Sequence, residues 1–186
     1  MLLNANTCRN AASGFAPMAR KLAAILACVP VSLSAAPALA PAGDLAADAK
    51  YMRREQVPMV VLYSRADCPW CDQARAYLVP MAKNPATRKL ARYRQIDLDT
   101  ERALTDFAGR RTTHRRFADE RKVALTPTVV LYDADGRQLG DPIVGMRLPD
   151  FYGQYLEQAI DNARRTLQHA PRPSQPERPQ PQPPRP

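Results

Sequence analysis

Cysteine and histidine are scarce in this chain, four and two in 186 residues. Cys8 and Cys28 fall in an N-terminal leader, so the rest of the chain holds only Cys68 and Cys71. That scarcity excludes most metal chemistry. A Cys-x-x-Cys zinc knuckle needs two further ligands, and His114 and His169 stand far apart in unlike surroundings. Covalent haem attachment needs a histidine directly after the second cysteine, where this chain has Asp72. Aromatic residues are also few where they would matter for nucleic acid. Arg110-Arg111 and His114-Arg115-Arg116 form a basic cluster with no interleaved aromatic, which suits a solvated helix face better than a nucleic-acid surface. The expectation is a protein without metal, organic cofactor or nucleic-acid partner.

What is present is a cysteine pair in a telling place. Cys68-Pro69-Trp70-Cys71 follows an apolar run, Met59-Val60-Val61-Leu62-Tyr63, and opens a helical pattern. Thiol exchange needs one thiolate to attack and a second thiol near enough to resolve the mixed disulfide. At a helix start the first sulfur lies beside unpaired N–H groups and the positive end of the helix dipole, which favour the thiolate. Cys68 is therefore the expected nucleophile and Cys71 the resolving thiol. A purely structural bridge is the plainer alternative, but so short a loop restrains the unfolded chain little.

The formal charge of +9 overstates the folded part. Without the leader and tail, about four positive charges remain. The leader spans residues 1–42. Arg20-Lys21 precedes an alanine-rich apolar stretch from Leu22 to Ala40, broken by Pro30 and Pro37 and ending in small residues. This is the form of a secretory signal, with cleavage before Leu39 or before Gly43. A retained membrane anchor is the main rival, and lipidation of Cys28 is a third reading. All three export the domain to a disulfide-permissive compartment, the periplasm. Residues 171–186 hold eight prolines in sixteen positions and no aliphatic side chain, so residues 169–186 are expected to be a disordered or polyproline II tail.

Between leader and tail, residues 44–168 suit one domain. Asp44 to Gln56 reads as a helix with Asp44 as N-cap, and Pro58 to Ser64 as a central strand buried on both faces. Pro69 to Ala82 reads as the motif helix, and Ala91 to Leu98 as a second strand. Ala103, Leu104 and Phe107 suggest a short helix ending near Gly109, and Thr113 to Lys122 another. Thr128 to Tyr132 is a third strand. Asp133-Ala134-Asp135-Gly136 is a turn, Gln138 to Val144 a returning edge strand, and Pro149 to Leu167 the last helix.

This order, with Cys68-Pro69-Trp70-Cys71 after one strand, Thr126-Pro127-Thr128 before another, and Asp135-Gly136 with Gly145 beyond, resembles the thioredoxin superfamily over roughly residues 45–165. Within it the chain is most similar to exported proteins of the SoxW type. The resemblance implies an α/β thioredoxin fold, a central mixed four-stranded sheet flanked by helices. It also implies a cis Thr126–Pro127 bond, with Thr126, Pro127 and Trp70 shaping a substrate groove beside Cys68. Protein thiols and disulfides would be the partners, a membrane thiol-transfer protein the electron donor, and the protein a monomer. Two departures stand out. The buried Asp that thioredoxins carry six residues before the first motif cysteine is Leu62 here. The glycine pair and acidic residue with which glutaredoxins hold glutathione are missing after Gly145, where Met146-Arg147-Leu148 follows. The rival function is a non-catalytic module that recruits a partner through the basic cluster or the proline-rich tail.

Overall fold

The strand before the cysteines is completely buried, and its alternation explains how. In β1 (Met59–Ser64), Val60 and Leu62 point to one face of a sheet, and Met59, Val61 and Tyr63 to the other. A strand covered on both sides reads as a continuous apolar run. The computed structural model describes residues 38–147 and 149–169. The expected leader, apart from its last five residues, and the tail beyond His169 lie outside them. Among the described residues no helix is long and apolar enough to cross a membrane.

The helices are α1 (Leu45–Glu55), α2 (Pro69–Lys83), α3 (His114–Glu120) and α4 (Tyr152–His169), the last entered through a 3-10 turn at Pro149–Phe151. The remaining strands are β2 (Arg92–Asp97), β3 (Ala103–Thr105), β4 (Arg111–Thr113), β5 (Thr128–Tyr132) and β6 (Ile143–Val144). The main sheet runs β2-β1-β5-β6, with β1 and β2 parallel and the other pairs antiparallel. One core joins Val60, Leu62, Val129 and Leu131 to Ala74 and Leu78 of α2 and Leu156 and Ile160 of α4. The opposite core joins Val61, Tyr63, Val130 and Tyr132 to Leu45, Ala49 and Met52 of α1 and Phe117 of α3. This is the mixed four-stranded sheet flanked by helices that the resemblance implies.

Two expected elements differ. The short helix around Ala103–Phe107 is instead a hairpin of β3 and β4. The Asp106 carboxylate makes the turn by accepting from the N–H groups of Ala108 and Arg110 and from Arg110 Nε. Burial pushes that carboxyl up, but the hydrogen bonds from Arg110 and Ala108 outweigh it and hold the group below its usual range. The edge strand expected over 138–144 pairs with β5 only at Ile143–Val144, plus one bridge from Gln138 to Tyr132. Gly140 at φ +76° and Pro142, which has no N–H to donate, interrupt it.

Residues 38–42 run along β2. Ala42 N–H donates to Gln95 O at 2.8 Å and Gln95 N–H to Ala40 O at 3.0 Å, and Leu39 and Ala42 are buried. His114, fully buried, fastens this strap. Its Nδ1 accepts from the Asp97 N–H at 3.0 Å, so Nε2 carries the proton and donates to Ala42 O at 2.8 Å. On the same side the phenols of Tyr63 and Tyr132 meet at 2.7 Å, and burial, the largest influence on each, pushes both pKa values up.

Gly136 is needed where it stands. It has φ +74°, and a Cβ there would lie 2.7 Å from Phe107 Cδ2 and 2.9 Å from Phe107 Cγ. Phe107 is wedged against Phe117 and Tyr132, with the Arg121 guanidinium over all three rings, and cannot retreat freely. Gly136→Ala is expected to cost about 2 kcal/mol, read as a lowered urea midpoint at unchanged m-value.

Candidate active site

The site is built at the C-terminal end of β1. Three loop residues follow the strand, and Asp67, the last of them, sits at φ +49°. Cys68 is then the N-cap of α2. It has extended backbone angles, and its Sγ accepts from the Cys71 N–H at 3.2 Å. Its carbonyl takes the N–H groups of Cys71 at 2.9 Å and Asp72 at 3.2 Å. Pro69 takes the first helical position, where its missing N–H is no loss. One turn in, Cys71 comes back under Cys68, and the two sulfurs are bonded with Cα atoms 5.2 Å apart. Cys68 is half-buried while Cys71 has no exposed surface. Only one face of the disulfide is open to an incoming sulfur.

A second loop closes on this pair. The Thr126–Pro127 peptide bond is cis. Thr126 Oγ1 lies 3.8 Å from Cys68 Sγ; a bonded sulfur has no hydrogen, so the hydroxyl is the donor. Pro127 is buried, its carbonyl accepts from Gly145 N–H at 2.8 Å, and the loop is braced by Thr128 Oγ1 on Leu125 O at 2.8 Å. Arg65 Nη2 reaches Ala124 O at 3.3 Å and ties the loop to the one before Cys68. Cys68, Cys71 and Thr126 thus come together, and Pro127 follows Thr126 through the cis bond. Trp70, between the cysteines, turns its indole outward and is 56% exposed.

Between α2 and the C-terminal ends of β1 and β2 lies a polar network whose assembly the sequence does not reveal. Leu62, where thioredoxins have their buried Asp, is paired in register with Gln95, and Ser64 with Asp97. Arg75, one helical turn beyond Cys71, donates to Gln95 Oε1 at 3.2 Å, Ser64 Oγ at 2.8 Å and Asp72 Oδ1 at 2.6 Å. Gln95 Nε2 passes the chain on to Asp97 Oδ1 at 2.6 Å. A fixed cation therefore stands near the N-terminal end of α2 with no carboxylate buried under the cysteines at position 62. Leu125 is a residue that sequence reasoning missed. It is 66% exposed, directly before Thr126. An aliphatic residue preceding a Thr-Pro turn was the available signal. Among the described residues no group of three His, Cys, Asp or Glu side chains converges to hold a metal.

A bonded Cys-x-x-Cys pair at a helix N-terminus on this sheet defines a thiol–disulfide oxidoreductase. The chain belongs to the thioredoxin-like domain family, whose family model matches residues 45–160. No curated protein matches the chain. Among solved structures, the *Fasciola hepatica* thioredoxin is 17% identical, with 67% of this chain and 99% of that one covered and a TM-score of 0.47. Trxlp from *Edwardsiella tarda* EIB202 is 20% identical over 64% and 98%, with a TM-score of 0.44. The periplasmic thioredoxin SoxS of *Paracoccus pantotrophus*, in its reduced form, is 21% identical over 57% and 98%, with a TM-score of 0.41.

Proposed function

We propose that the protein exchanges disulfides with protein clients in the periplasm, with Cys68 as the attacking thiol and Cys71 as the resolving one. In the reduced protein the Cys68 thiolate attacks one sulfur of a client disulfide, and the client's other sulfur leaves as a thiolate. Cys71, deprotonated, then attacks Cys68 Sγ, which releases the client's second thiol and leaves the Cys68–Cys71 disulfide. A membrane thiol-transfer protein would return two electrons and two protons to that disulfide. The reading rests on one observation above the others: Cys68 is reachable from solvent and Cys71 is not. Thr126 and Pro127 would form one wall of the client groove, with Trp70 and Leu125 offering apolar contact. The Thr126 hydroxyl beside Cys68 Sγ would donate to the thiolate once the disulfide opens.

The leader of residues 1–42, the domain of residues 44–168 and the tail of residues 169–186 remain the proposed organisation, with the working domain a monomer. Cleavage before Gly43 would remove the strap that pairs with Gln95 and holds His114, whereas a leader retained as an anchor keeps it. Limiting iodoacetamide on the reduced protein is expected to label Cys68 first, at a rate set by its thiolate fraction. Preferential labelling of Cys71 would reverse the roles.

Arg75 is proposed as a positioning residue that favours the thiolate. Stabilising the thiolate stabilises the reduced form and raises the reduction potential. Arg75→Gln removes the cation and leaves Asp72 unpaired near the sulfurs, so the potential should fall by roughly 20 mV, about 1 kcal/mol for two electrons. Arg75→Lys should recover part of the shift. An unchanged or higher potential in Arg75→Gln would take Arg75 out of the site.

A further inference from the structure

At the end of the sheet away from the cysteines lies an open cleft of about 590 Å³ whose charged lining residues are all basic. Lys83 from the end of α2, Arg88 and Lys89 from the following loop, and Arg92 and Arg94 from β2 all line it, with the Tyr51 ring. One carboxylate stands against these five cations. Asp48 of α1 is already saturated: its oxygens accept from Arg92 Nε at 2.8 Å, Arg94 Nε at 2.6 Å and Arg94 Nη2 at 2.6 Å. Five cations against one carboxylate leave a local excess of positive charge at the cleft. Glu157 and Asp161 line an adjoining hollow that shares Tyr93 with the cleft.

The cations are not equally occupied. Arg94 is spent on Asp48 and on Tyr93 O. Arg92 donates only through Nε, with its guanidinium over the Tyr51 ring, and its two terminal amino groups make no hydrogen bond among the described residues. Lys83, Arg88 and Lys89 are exposed and form no ion pair among the described residues. Their loop is nevertheless braced. Arg88 N–H donates to Asn84 O and Leu90 N–H to Thr87 O, both at 2.9 Å, Ala86 N–H to Asn84 Oδ1 at 2.8 Å, and Thr87 Oγ1 to Met81 O at 2.5 Å. Like charges held together on a braced loop repel one another at a standing cost unless an anion offsets it. Guanidinium forks and ammonium groups around one opening suit the oxygens of a phosphate.

Position indicates which phosphate. Ala38, Leu39 and Ala40 form part of the cleft wall, so the chain enters the described domain along it, directly after the apolar stretch of the leader. A lipid bilayer offers phosphates beside just such a stretch. We propose that the cleft binds the phosphate of an anionic phospholipid headgroup. Lys83, Arg88, Lys89 and Arg92 would be the binding residues, with Tyr51 and Asp48 holding Arg92 in place. Cys68 lies beyond the C-terminal end of β1, while the cleft lies at the N-terminal end of the parallel β2. A strand of this length spans roughly 20 Å, so a domain seated on a membrane by the cleft would present its disulfide to the aqueous side.

The test is sedimentation of the full chain with phosphatidylglycerol vesicles and with pure phosphatidylcholine vesicles, at several salt concentrations. Lys83→Gln/Arg88→Gln/Lys89→Gln should bind phosphatidylglycerol roughly a hundredfold more weakly than the parent chain, with a shallower salt dependence. Arg102→Gln/Arg111→Gln/Arg116→Gln removes the same charge on the β3–β4 hairpin and α3, and should bind as the parent does. Any insertion by the leader is common to all three proteins and cancels in the comparison. Equal loss in both triple variants would mean that net charge alone is read, and would overturn the proposal. So would unchanged binding in the cleft variant. Inorganic phosphate is the remaining arm. If it shifts the amide signals of residues 83–94 at concentrations that leave vesicle binding absent, the cleft is a site for a soluble phosphate and the lipid assignment fails.

Discussion

Cys71→Ser is expected to accumulate a mixed disulfide between Cys68 and a client, whereas Cys68→Ser should accumulate almost none. The physical reason is the asymmetry of burial. Cys68 is the N-cap of α2 and half-buried, so a client sulfur can reach it, while Cys71 lies wholly beneath. In the parent protein Cys71 stands one turn away and resolves the adduct intramolecularly, at an effective concentration no external thiol matches. Once that thiol is replaced, the adduct persists until an external thiol arrives. Turnover in a disulfide-reduction assay should fall to background in both variants, so trapping is the informative readout. Non-reducing gels of extracts from the producing cells check it. Equal trapping by both variants, or by neither, would favour the rival reading, a thioredoxin-fold module that binds without exchanging.

Asp48→Ala is expected to be the most destabilising single change away from the sulfurs, at about 3 kcal/mol. Asp48 is 5% exposed and takes three guanidinium hydrogen bonds, which tie α1 to β2. Removing it leaves the largely buried Arg94 without a counter-charge and Arg92 without an anchor. The loss exceeds the worth of the pairs themselves because an uncompensated charge remains. Asp48→Asn retains an acceptor and should cost roughly half as much. Replacing Asp48 and Arg94 together with apolar residues of similar volume should recover much of the loss. Urea denaturation of the four proteins measures this. A double variant as unstable as Asp48→Ala would mean that packing, not the orphaned charge, is responsible.

The elements legible in the sequence share one property: local pattern and tertiary environment agree. The run Met59–Ser64 is apolar on both faces and is buried on both. Asp44 reads as an N-cap and accepts from the Ala47 N–H. Pro69 and the cysteine spacing fix where α2 begins, and Gly136 marks a real turn. Ala103–Phe107 shows the opposite case. A three-residue apolar cluster fits either a helical or an extended backbone. The choice came from contacts distant in sequence: β4 pairs on one side, and Gly43 O accepts from Thr105 N–H at 2.9 Å. Asp106 with Gly109, at φ +83°, was the overlooked local signal for a turn.

By itself the sequence determined the family, the position of the reactive pair, the two-faced character of β1, and the expectation of export. Each of these follows from residues adjacent in the chain or from a hydrophobic period, and neither depends on register. Only the tertiary structure decided which side chains meet across elements. It decided that Arg75 joins Ser64 and Gln95 beside the cysteines, that His114 fastens the strap of residues 38–42, and that Asp48 draws Arg92 and Arg94 to one wall of a basic cleft. Those meetings hang on the pairing of β1 with β2. A slip of β2 by one residue would send Gln95 and Asp97 to the face opposite Ser64, and no local pattern in the chain reports that register.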